Sequence, residues 1–245
     1  MTIREGKSYI KHGDCLELMQ DIPAGSVDMI LCDLPYGTTA NKWDVKIDTA
    51  LLWAEYERII KDHGAIVLFA QVPFNITLGN SNRRLLRYEW VWVKEQGTGF
   101  LNAKKMPLKI HENILVFYKR LPTYNPQFTK GKPYTRKRGQ SGSSNYNVTD
   151  TQMITISKGE RYPVDVLHFE RDKEKLHPTQ KPLALCEYLI KTYTNEGDTV
   201  LDNCMGSGTT CVAAANTKRH FIGFELCREY YEIAKNRIYQ SSKTI

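Results

Sequence analysis

Short apolar runs typical of strands alternate with stretches whose apolar residues recur at helical spacing, and this alternation constrains the fold more than any other feature. The strand-like runs lie at 26–32, 65–70, 89–93, 113–118, 199–202 and 220–225. The helical stretches lie at 48–61, 182–193, 208–217 and 228–239. Strands that alternate with helices favour a doubly wound, mostly parallel sheet. The sequence therefore predicts an α/β fold.

The amino-acid composition changes between 119 and 171, where Pro, Gly, Ser, Asn, Thr and Tyr dominate and no long hydrophobic periodicity is visible. We interpret this segment as an inserted, loop-rich region. It would separate two halves of one core, at 1–118 and 172–245. A chain of 245 residues is long enough for one large α/β domain with such an insert.

The positive charge of the chain is concentrated near this insert. The formal net charge is +7. Between Glu112 and Asp150 there is no acidic residue, and the basic residues there equal the whole excess: Lys119, Arg120, Lys130, Lys132, Arg136, Lys137 and Arg138. Cations beside tyrosines such as Tyr134 suit a polyanion, since they displace phosphate counterions while aromatic rings stack on bases. A solvated basic loop is the alternative interpretation.

Several classes of protein are excluded by what the sequence lacks. No run approaches the roughly 18 apolar residues of a membrane span, and the first residues contain no apolar signal-peptide core. We therefore expect a cytoplasmic protein with no membrane partner. The six cysteines form no CxxC pair, so reduced thiols are expected and no metal site is predicted.

A glycine-rich turn follows the strand-like run at 199–202. Gly206 and Gly208 would let the backbone approach a ligand closely before the next helix begins. The following strand ends at Glu225, whose carboxylate could accept hydrogen bonds from both hydroxyls of a ribose. The chain contains neither the lysine-bearing phosphate loop nor the GxGxxG of dinucleotide sites. These features favour a nucleoside without phosphates.

A second distinctive turn follows the strand-like run at 26–32. Asp33 supplies an acceptor, Pro35 restrains Leu34 to an extended conformation, and Tyr36 offers an aromatic face. Together they could bind a planar ring that carries an exocyclic amino group. A simple strand-ending turn is the alternative.

Five motifs in order resemble the β group of S-adenosylmethionine-dependent DNA amino-methyltransferases. They are Asp-x-Pro-Tyr at 33–36, a basic variable region, His-Pro-Thr-Gln-Lys-Pro at 177–182, Asp-x-x-x-Gly-Ser-Gly-Thr-Thr at 202–210, and Gly-x-Glu at 223–225. The resemblance runs from about Gly13 to Ala234. It implies a Rossmann-like methyltransferase sheet in circularly permuted order, in which the strand ending near Asp14 lies beside the strand ending at Glu225. The insert would be the target-recognition region.

The resemblance also implies residue roles. The catalytic turn would comprise Asp33, Leu34, Pro35 and Tyr36. The cofactor S-adenosylmethionine would be bound by Asp14, Cys15, His177, Thr179, Lys181, Asp202, Gly206, Gly208, Thr209 and Glu225. DNA would be bound by Lys130, Lys132, Arg136, Lys137 and Arg138. Leu34 stands where a second proline is commoner in the family. Residues 203–205 also depart from the family pattern, and no role is transferred to these three residues.

The implied reaction is direct methyl transfer to the exocyclic N6 of adenine in double-stranded DNA, after the base has flipped out. The family associates Asp at position 33 with adenine and Ser with cytosine. Methylation of cytosine N4, a catalytically inactive DNA-binding homologue, and methylation of RNA or of a protein amide are the alternatives. No Pro-Cys occurs, so the thiol of a cytosine C5 methyltransferase is absent. The sequence does not determine the DNA recognition sequence, whether the protein forms a homodimer, or whether it has a partner restriction nuclease. The segment 37–44 is interpreted either as a loop that closes over DNA and cofactor or as a surface connection with Trp43 packed against the protein.

Overall fold

The computed structural model of the protein describes residues 8–37, 47–137 and 154–241. Its strands are β1 (Tyr9–His12), β2 (Val27–Cys32), β3 (Ile60–Ala70), β4 (Leu86–Thr98), β5 (Lys109–Phe117), β6 (Thr129–Lys130), β7 (Tyr134–Lys137), β8 (Ile154–Ser157), β9 (Glu160–Arg161), β10 (Val166–His168), β11 (Thr199–Asp202) and β12 (His220–Glu225). Its α-helices are α1 (Cys15–Met19), α2 (Thr49–Ile59), α3 (Phe74–Ser81), α4 (Leu183–Tyr193), α5 (Thr209–Asn216) and α6 (Arg228–Ser241).

Eight of the described strands form the main sheet, in the order β1-β12-β11-β2-β3-β5-β4-β10. Every neighbouring pair is parallel except the two that involve β5, which runs antiparallel to β3 and β4. The mostly parallel α/β sheet predicted from the sequence is confirmed. His12 of β1 lies opposite Glu225 of β12, so the first strand is the neighbour of the last, as the permuted order requires.

The central strands are buried on both faces, which explains why they are continuous apolar runs. Alternate residues of β2 belong to different clusters: Ile30 packs with Tyr56 of α2, whereas Leu31 packs with Leu189 of α4. Successive side chains of a strand point to opposite faces, so α2 and α4 cover opposite sides of the sheet. Polar side chains that face a ligand are therefore confined to the strand ends.

Several elements differ from the sequence prediction. Strands β4 and β5, for example, begin at Leu86 and Lys109, before the runs predicted at 89–93 and 113–118. Helix α2 ends at Ile59 instead of 61, and β3 begins at once because Ile60 pairs with Val27 of β2. Helix α3 was not predicted, since its Asn, Thr, Gly and Ser residues give no clear period, and buried Leu78 anchors it. Strand β10 was not predicted because it is three residues long; it pairs with β4 at the sheet edge.

The chain forms two compact units. The larger comprises Met1–Asn125 and Asp165–Ile245, and the smaller comprises Pro126–Val164. The segment predicted as an insert, 119–171, begins before the smaller unit and ends after it. Its first residues join the larger unit, where the Asn125 side chain donates to the carbonyls of Lys191 and Thr194 at the end of α4.

In its described residues, the smaller unit contains two short antiparallel ladders. Strand β6 pairs with β9, and β7 pairs with β8. The guanidinium of Arg161 lies 4.7 Å from the centroid of the Tyr134 ring, a cation–π contact between the ladders.

Across the described residues, no helix combines the length and the apolar character that a membrane crossing needs. The six cysteines are free, and four of them are buried. Nearly all of the loop predicted at 37–44 lies outside the described residues.

Candidate active site

A cavity of about 560 Å³ lies at the carboxyl ends of β2, β11 and β12. This is the edge of an open α/β sheet at which ligands bind, and the volume is that of a small-molecule site. Except for Gly208, every residue predicted to be catalytic or to bind the cofactor lines the cavity: Asp14, Cys15, Asp33, Leu34, Pro35, Tyr36, His177, Thr179, Lys181, Asp202, Gly206, Thr209 and Glu225. The two turns singled out in the sequence thus open into one space.

The carboxylate of Glu225 is held by backbone amides on both sides. Its Oε2 accepts from the Gly206 amide at 2.8 Å, and its Oε1 accepts from the Cys227 amide at 2.8 Å. Each carboxylate oxygen can accept a further hydrogen bond, so both oxygens remain able to bind a pair of neighbouring hydroxyls. Burial raises the pKa of Glu225, and these amide bonds oppose the rise.

Asp202 ends β11 and lies on the cavity wall, only 4% exposed. Its Oδ1 accepts from the Cys204 amide at 3.1 Å. Burial raises the pKa of Asp202 to about 7, and hydrogen bonds from Thr210 and that amide partly offset the rise.

Gly208 immediately precedes α5 and does not line the cavity. Its φ of +77° is left-handed, and a Cβ there would lie 3.0 Å from the Cβ of Ala234. The absence of a side chain lets α5 approach α6 closely. The contact with cofactor that the resemblance implied for Gly208 has no counterpart in the cavity lining.

His177 and Thr179 form one wall with Tyr230, a residue that the sequence did not indicate. The ring centroids of His177 and Tyr230 are 4.2 Å apart, and the Thr179 amide donates to His177 Nδ1 at 3.3 Å. Burial, assisted by the charge of Lys181, lowers the pKa of His177 to about 4. The imidazole is therefore neutral near pH 7 and brings no positive charge to the cavity.

The turn after β2 presents Asp33 and Tyr36 together. The Tyr36 hydroxyl donates to Asp33 Oδ1 at 2.8 Å. One face of the Tyr36 ring stacks on Phe74, with centroids 4.8 Å apart and planes inclined at 24°. Leu34 is buried beneath the turn. Phe74 belongs to the helix that lacked a sequence signal, so this support was missed.

A buried chain of charges continues from Asp33 into the sheet. The ammonium of Lys181 contacts Asp33 Oδ2 and lies 3.4 Å from Glu112 Oε2. Glu112 Oε1 lies 2.6 Å from the ammonium of Lys94. Lys181 was predicted as a cofactor residue, but its charged contacts are to the catalytic turn and to Glu112. Glu112 was not singled out in the sequence, because it stands between the polar residues His111 and Asn113 of β5 and belongs to no motif.

The charges of this network are coupled. Burial alone would raise the pKa of Glu112, but Lys181 and Lys94 outweigh it and lower that pKa. Burial alone would lower the pKa of Lys181, and the two carboxylates raise it instead. Burial raises the pKa of Asp33, with Lys181 opposing and Glu112 adding to the rise. Asp33 is thus the carboxylate of the network that takes up a proton most readily.

The residues at 203–205, which departed from the expected pattern, form part of the cavity wall. Asn203 Oδ1 accepts from the buried Tyr56 hydroxyl at 2.5 Å, and its amide nitrogen lies 3.5 and 3.4 Å from the sulfurs of Cys15 and Cys204. Within the described ranges, no group of three or more His, Cys, Asp or Glu side chains is placed to hold a metal ion.

Residues 27–236 match the sequence profile of the N6/N4 methyltransferase family of DNA methylases. The chain belongs to this DNA methylase family. It is 30% identical to the DNA adenine methyltransferase YhdJ of Escherichia coli K12, over 96% of this chain and 83% of that protein. It is 28% identical to the type II methyltransferase M.BglII of Bacillus subtilis, over 92% and 67%. The crystal structure of the M1.HpyAVI–SAM complex superposes with a TM-score of 0.62 at 26% identity, covering 93% of this chain and 98% of that one.

Membership of the family makes the protein an S-adenosylmethionine-dependent DNA methyltransferase. The cavity fits this cofactor, a nucleoside joined to an amino acid, because the Glu225 carboxylate can accept hydrogen bonds from the two ribose hydroxyls. It also suits a sulfonium, because the His177 imidazole is neutral and the Lys181 ammonium is neutralised by Asp33 and Glu112.

Of the residues predicted to bind DNA, three are described with their side chains. Lys130, Lys132 and Arg136 are exposed on the smaller unit. Lys137 is described only by its backbone in β7, and Arg138 lies outside the described residues.

Proposed function

We propose that this DNA methylase methylates the exocyclic N6 of adenine within a specific sequence of double-stranded DNA. The observation that carries the proposal is the Asp33 carboxylate, which is held at the cavity wall by Tyr36 on one oxygen and by Lys181 on the other. Of the proteins compared above, YhdJ, named as a DNA adenine methyltransferase, supports adenine as the target.

Asp33 would act as a hydrogen-bond acceptor for the amino group of the target. The nitrogen of that group is a weak nucleophile because its lone pair is delocalised into the ring. Acceptance of one N–H by Asp33 and of the other by the Leu34 or Pro35 carbonyl favours a pyramidal nitrogen and stabilises its developing positive charge. When bound, S-adenosylmethionine supplies an electrophilic methyl group on a sulfonium.

The remaining walls would hold the cofactor in line with that nitrogen. Glu225 would accept the ribose hydroxyls, and Asp14 would lie on the adenine side. The methionine part would contact Asp202, Gly206 and Thr209, with His177, Thr179 and Lys181 along its other end. Cys15, on the cavity wall next to Asp14, completes the predicted set.

The target base must leave the duplex, since its amino group is otherwise paired. Tyr36 would stack on the flipped base. The insert predicted at 119–171 would recognise the DNA, with Lys130, Lys132, Arg136, Lys137 and Arg138 supplying phosphate contacts. The name of M.BglII, a type II methyltransferase, supports a restriction nuclease as a functional counterpart. We also propose that the enzyme forms a homodimer and is located in the cytoplasm.

Methylation of cytosine N4 is the second candidate, because the family includes both amino targets. The test is to incubate the enzyme with DNA and labelled S-adenosylmethionine, digest the DNA to nucleosides and identify the product by mass spectrometry. We expect N6-methyladenine. N4-methylcytosine alone would overturn the adenine assignment, and label found only in parallel RNA or protein samples would overturn DNA as the substrate.

A further inference from the structure

The hairpin formed by β4 and β5 extends past the edge of the sheet at which the cavity lies. Strand β3 ends at Ala70, opposite Asn113 of β5. Beyond that point β4 and β5 continue to pair as far as Thr98 and Lys109. Four residues of strand span about 13 Å, and Glu112 at the base of the extension lines the cavity. The tip at 99–108 therefore projects beyond the active-site edge.

This extension exposes apolar side chains that a folded surface normally covers. Every residue from 99 to 111 is exposed. Phe100 and Leu101, in a 3-10 turn at the tip, are 80% and 100% exposed. Met106, Leu108 and Ile110 are also exposed. A run of exposed apolar residues of this kind marks an interaction site.

The charge around the tip identifies its partner. Between Glu95 and Glu112 there is no acidic residue, while Lys104, Lys105 and Lys109 lie on the same extension. Apolar side chains flanked by lysines complement a DNA duplex, since apolar wedges insert between stacked bases and cations contact the adjacent phosphates. A protein partner would not require an extension free of acids.

We propose that Phe100 and Leu101 insert into the DNA stack as a wedge that supports the flipped state of the target base, while Lys104 and Lys105 contact the flanking phosphates. The inference rests on base flipping in the proposed function, but not on which amino group is methylated. Unstacking and unpairing a base costs a few kcal/mol, and side chains that replace the lost stacking contacts would lower that cost.

The test uses the full-length enzyme with Leu101→Ala and with Phe100→Ala/Leu101→Ala. A 2-aminopurine placed beside the target base reports flipping, and single-turnover methyl transfer reports catalysis. On paired DNA we expect a weaker fluorescence rise and a methyl-transfer rate lower on the order of tenfold. Opposite an abasic site, where no pairing must be broken, we expect both variants to approach the wild-type rate.

Leu51→Ala is the matched control, because Leu51 of α2 is 57% exposed, lies outside the hairpin and the insert, and does not line the cavity. It should leave flipping unchanged, and all variants should bind S-adenosylmethionine like the wild type. Wild-type flipping by the double variant would overturn the wedge, as would an equal loss of rate on paired and abasic DNA. Intact flipping together with a changed molecular mass in solution would assign the tip to contact with a second copy of the chain. If the wild-type enzyme shows no fluorescence change at all, it is the base-flipping step of the proposed function that fails.

Discussion

The electrostatic environment of the Asp33 carboxylate is set by residues that are distant from it in sequence. Its two oxygens bind Tyr36 and Lys181, and Lys181 is held in turn by Glu112. Removing one partner of a buried charged set leaves the others uncompensated, which costs more than the set contributes when intact. Glu112 thus acts on Asp33 through Lys181 and through its own charge.

Replacement of Glu112 should therefore change the pH dependence of catalysis. The Glu112 anion raises the pKa of Asp33, so Glu112→Gln should lower that pKa and move the acidic limb of the kcat profile to lower pH. The variant should also lose stability, by about 3–5 kcal/mol, as measured by urea unfolding. Glu89→Gln is the control, because Glu89 accepts from Asn113 on the same sheet outside the cavity. An unmoved acidic limb would show that Glu112 is only a structural residue.

Asp202 should make the cofactor-free protein less stable as the pH rises. Burial raises its pKa to about 7, from the usual 3.8. Between those values the folded protein holds a proton that the unfolded chain has released, so stability falls as the pH rises through this window. At pH 8 the cost is on the order of 4 kcal/mol.

Asp202→Asn should remove this cost. The melting temperature of the cofactor-free variant should exceed that of the wild type at pH 8, and the difference should shrink towards pH 4. The same variant should bind S-adenosylmethionine more weakly, as measured by calorimetry. A difference in melting temperature that is constant from pH 4 to 8 would contradict the role given to Asp202.

At the residue scale, the sequence predicted the groups that stand in motifs and missed those that support them. Asp33, Tyr36 and Glu225 follow strands and keep spacings that ligand chemistry demands. Glu112 and Phe74 lie on elements that reach the cavity only through the strand order, and no local pattern encodes that order.

At the scale of elements, the turn before α5 depends on Gly208 for two separate reasons. The left-handed φ disfavours any side chain, and a Cβ would press on Ala234. Gly25 has a similar φ of +62° but open space around it. Substitution of Gly208 and of Gly25 therefore separates the stability cost of backbone strain from that of crowding.

Gly208→Ala should destabilise the protein more than Gly25→Ala does. Backbone strain alone should cost about 1 kcal/mol at either position, and crowding should add to it only at Gly208. Chemical unfolding of both variants measures the difference. Equal losses would show that α5 and α6 adjust freely, contrary to the close packing described for them.

Elements that are buried on both faces were predicted more accurately from the sequence than the others. Strands β2, β11 and β12 were predicted within a residue of their bounds, because strands covered on both faces are distinct apolar runs. Helix α3 and strand β10 escaped prediction because long-range packing, and not local composition, stabilises them. The junction of α2 and β3 was misplaced because pairing with β2 ends the helix earlier than its apolar spacing does.

At the scale of the whole molecule, the excess positive charge and the cavity fall on different parts of the chain. Lys130, Lys132 and Arg136 lie on the smaller unit, whereas every residue that lines the cavity belongs to the larger one. Affinity for DNA and affinity for the cofactor should therefore respond to different substitutions.

The combined variant Lys130→Ala/Lys132→Ala/Arg136→Ala should bind DNA more weakly and with a flatter salt dependence. Each lost phosphate contact lowers the slope of log K against log salt by about 0.9. Cofactor affinity should not change. Neutralising Lys218, Arg228 and Lys235, exposed cations of the larger unit that pair with carboxylates, is the matched control. An unchanged slope in the first variant would exclude these residues as phosphate contacts.

In the proposed mechanism, Asp33 accepts a hydrogen bond from the amino group that is methylated. The most direct test of this role is single-turnover methyl transfer from labelled S-adenosylmethionine to duplex DNA by Asp33→Asn, with cofactor affinity measured on the same preparation. We expect a rate lower on the order of 10²- to 10³-fold, an unchanged cofactor affinity, and N6-methyladenine as the residual product. A wild-type rate in Asp33→Asn would contradict this role.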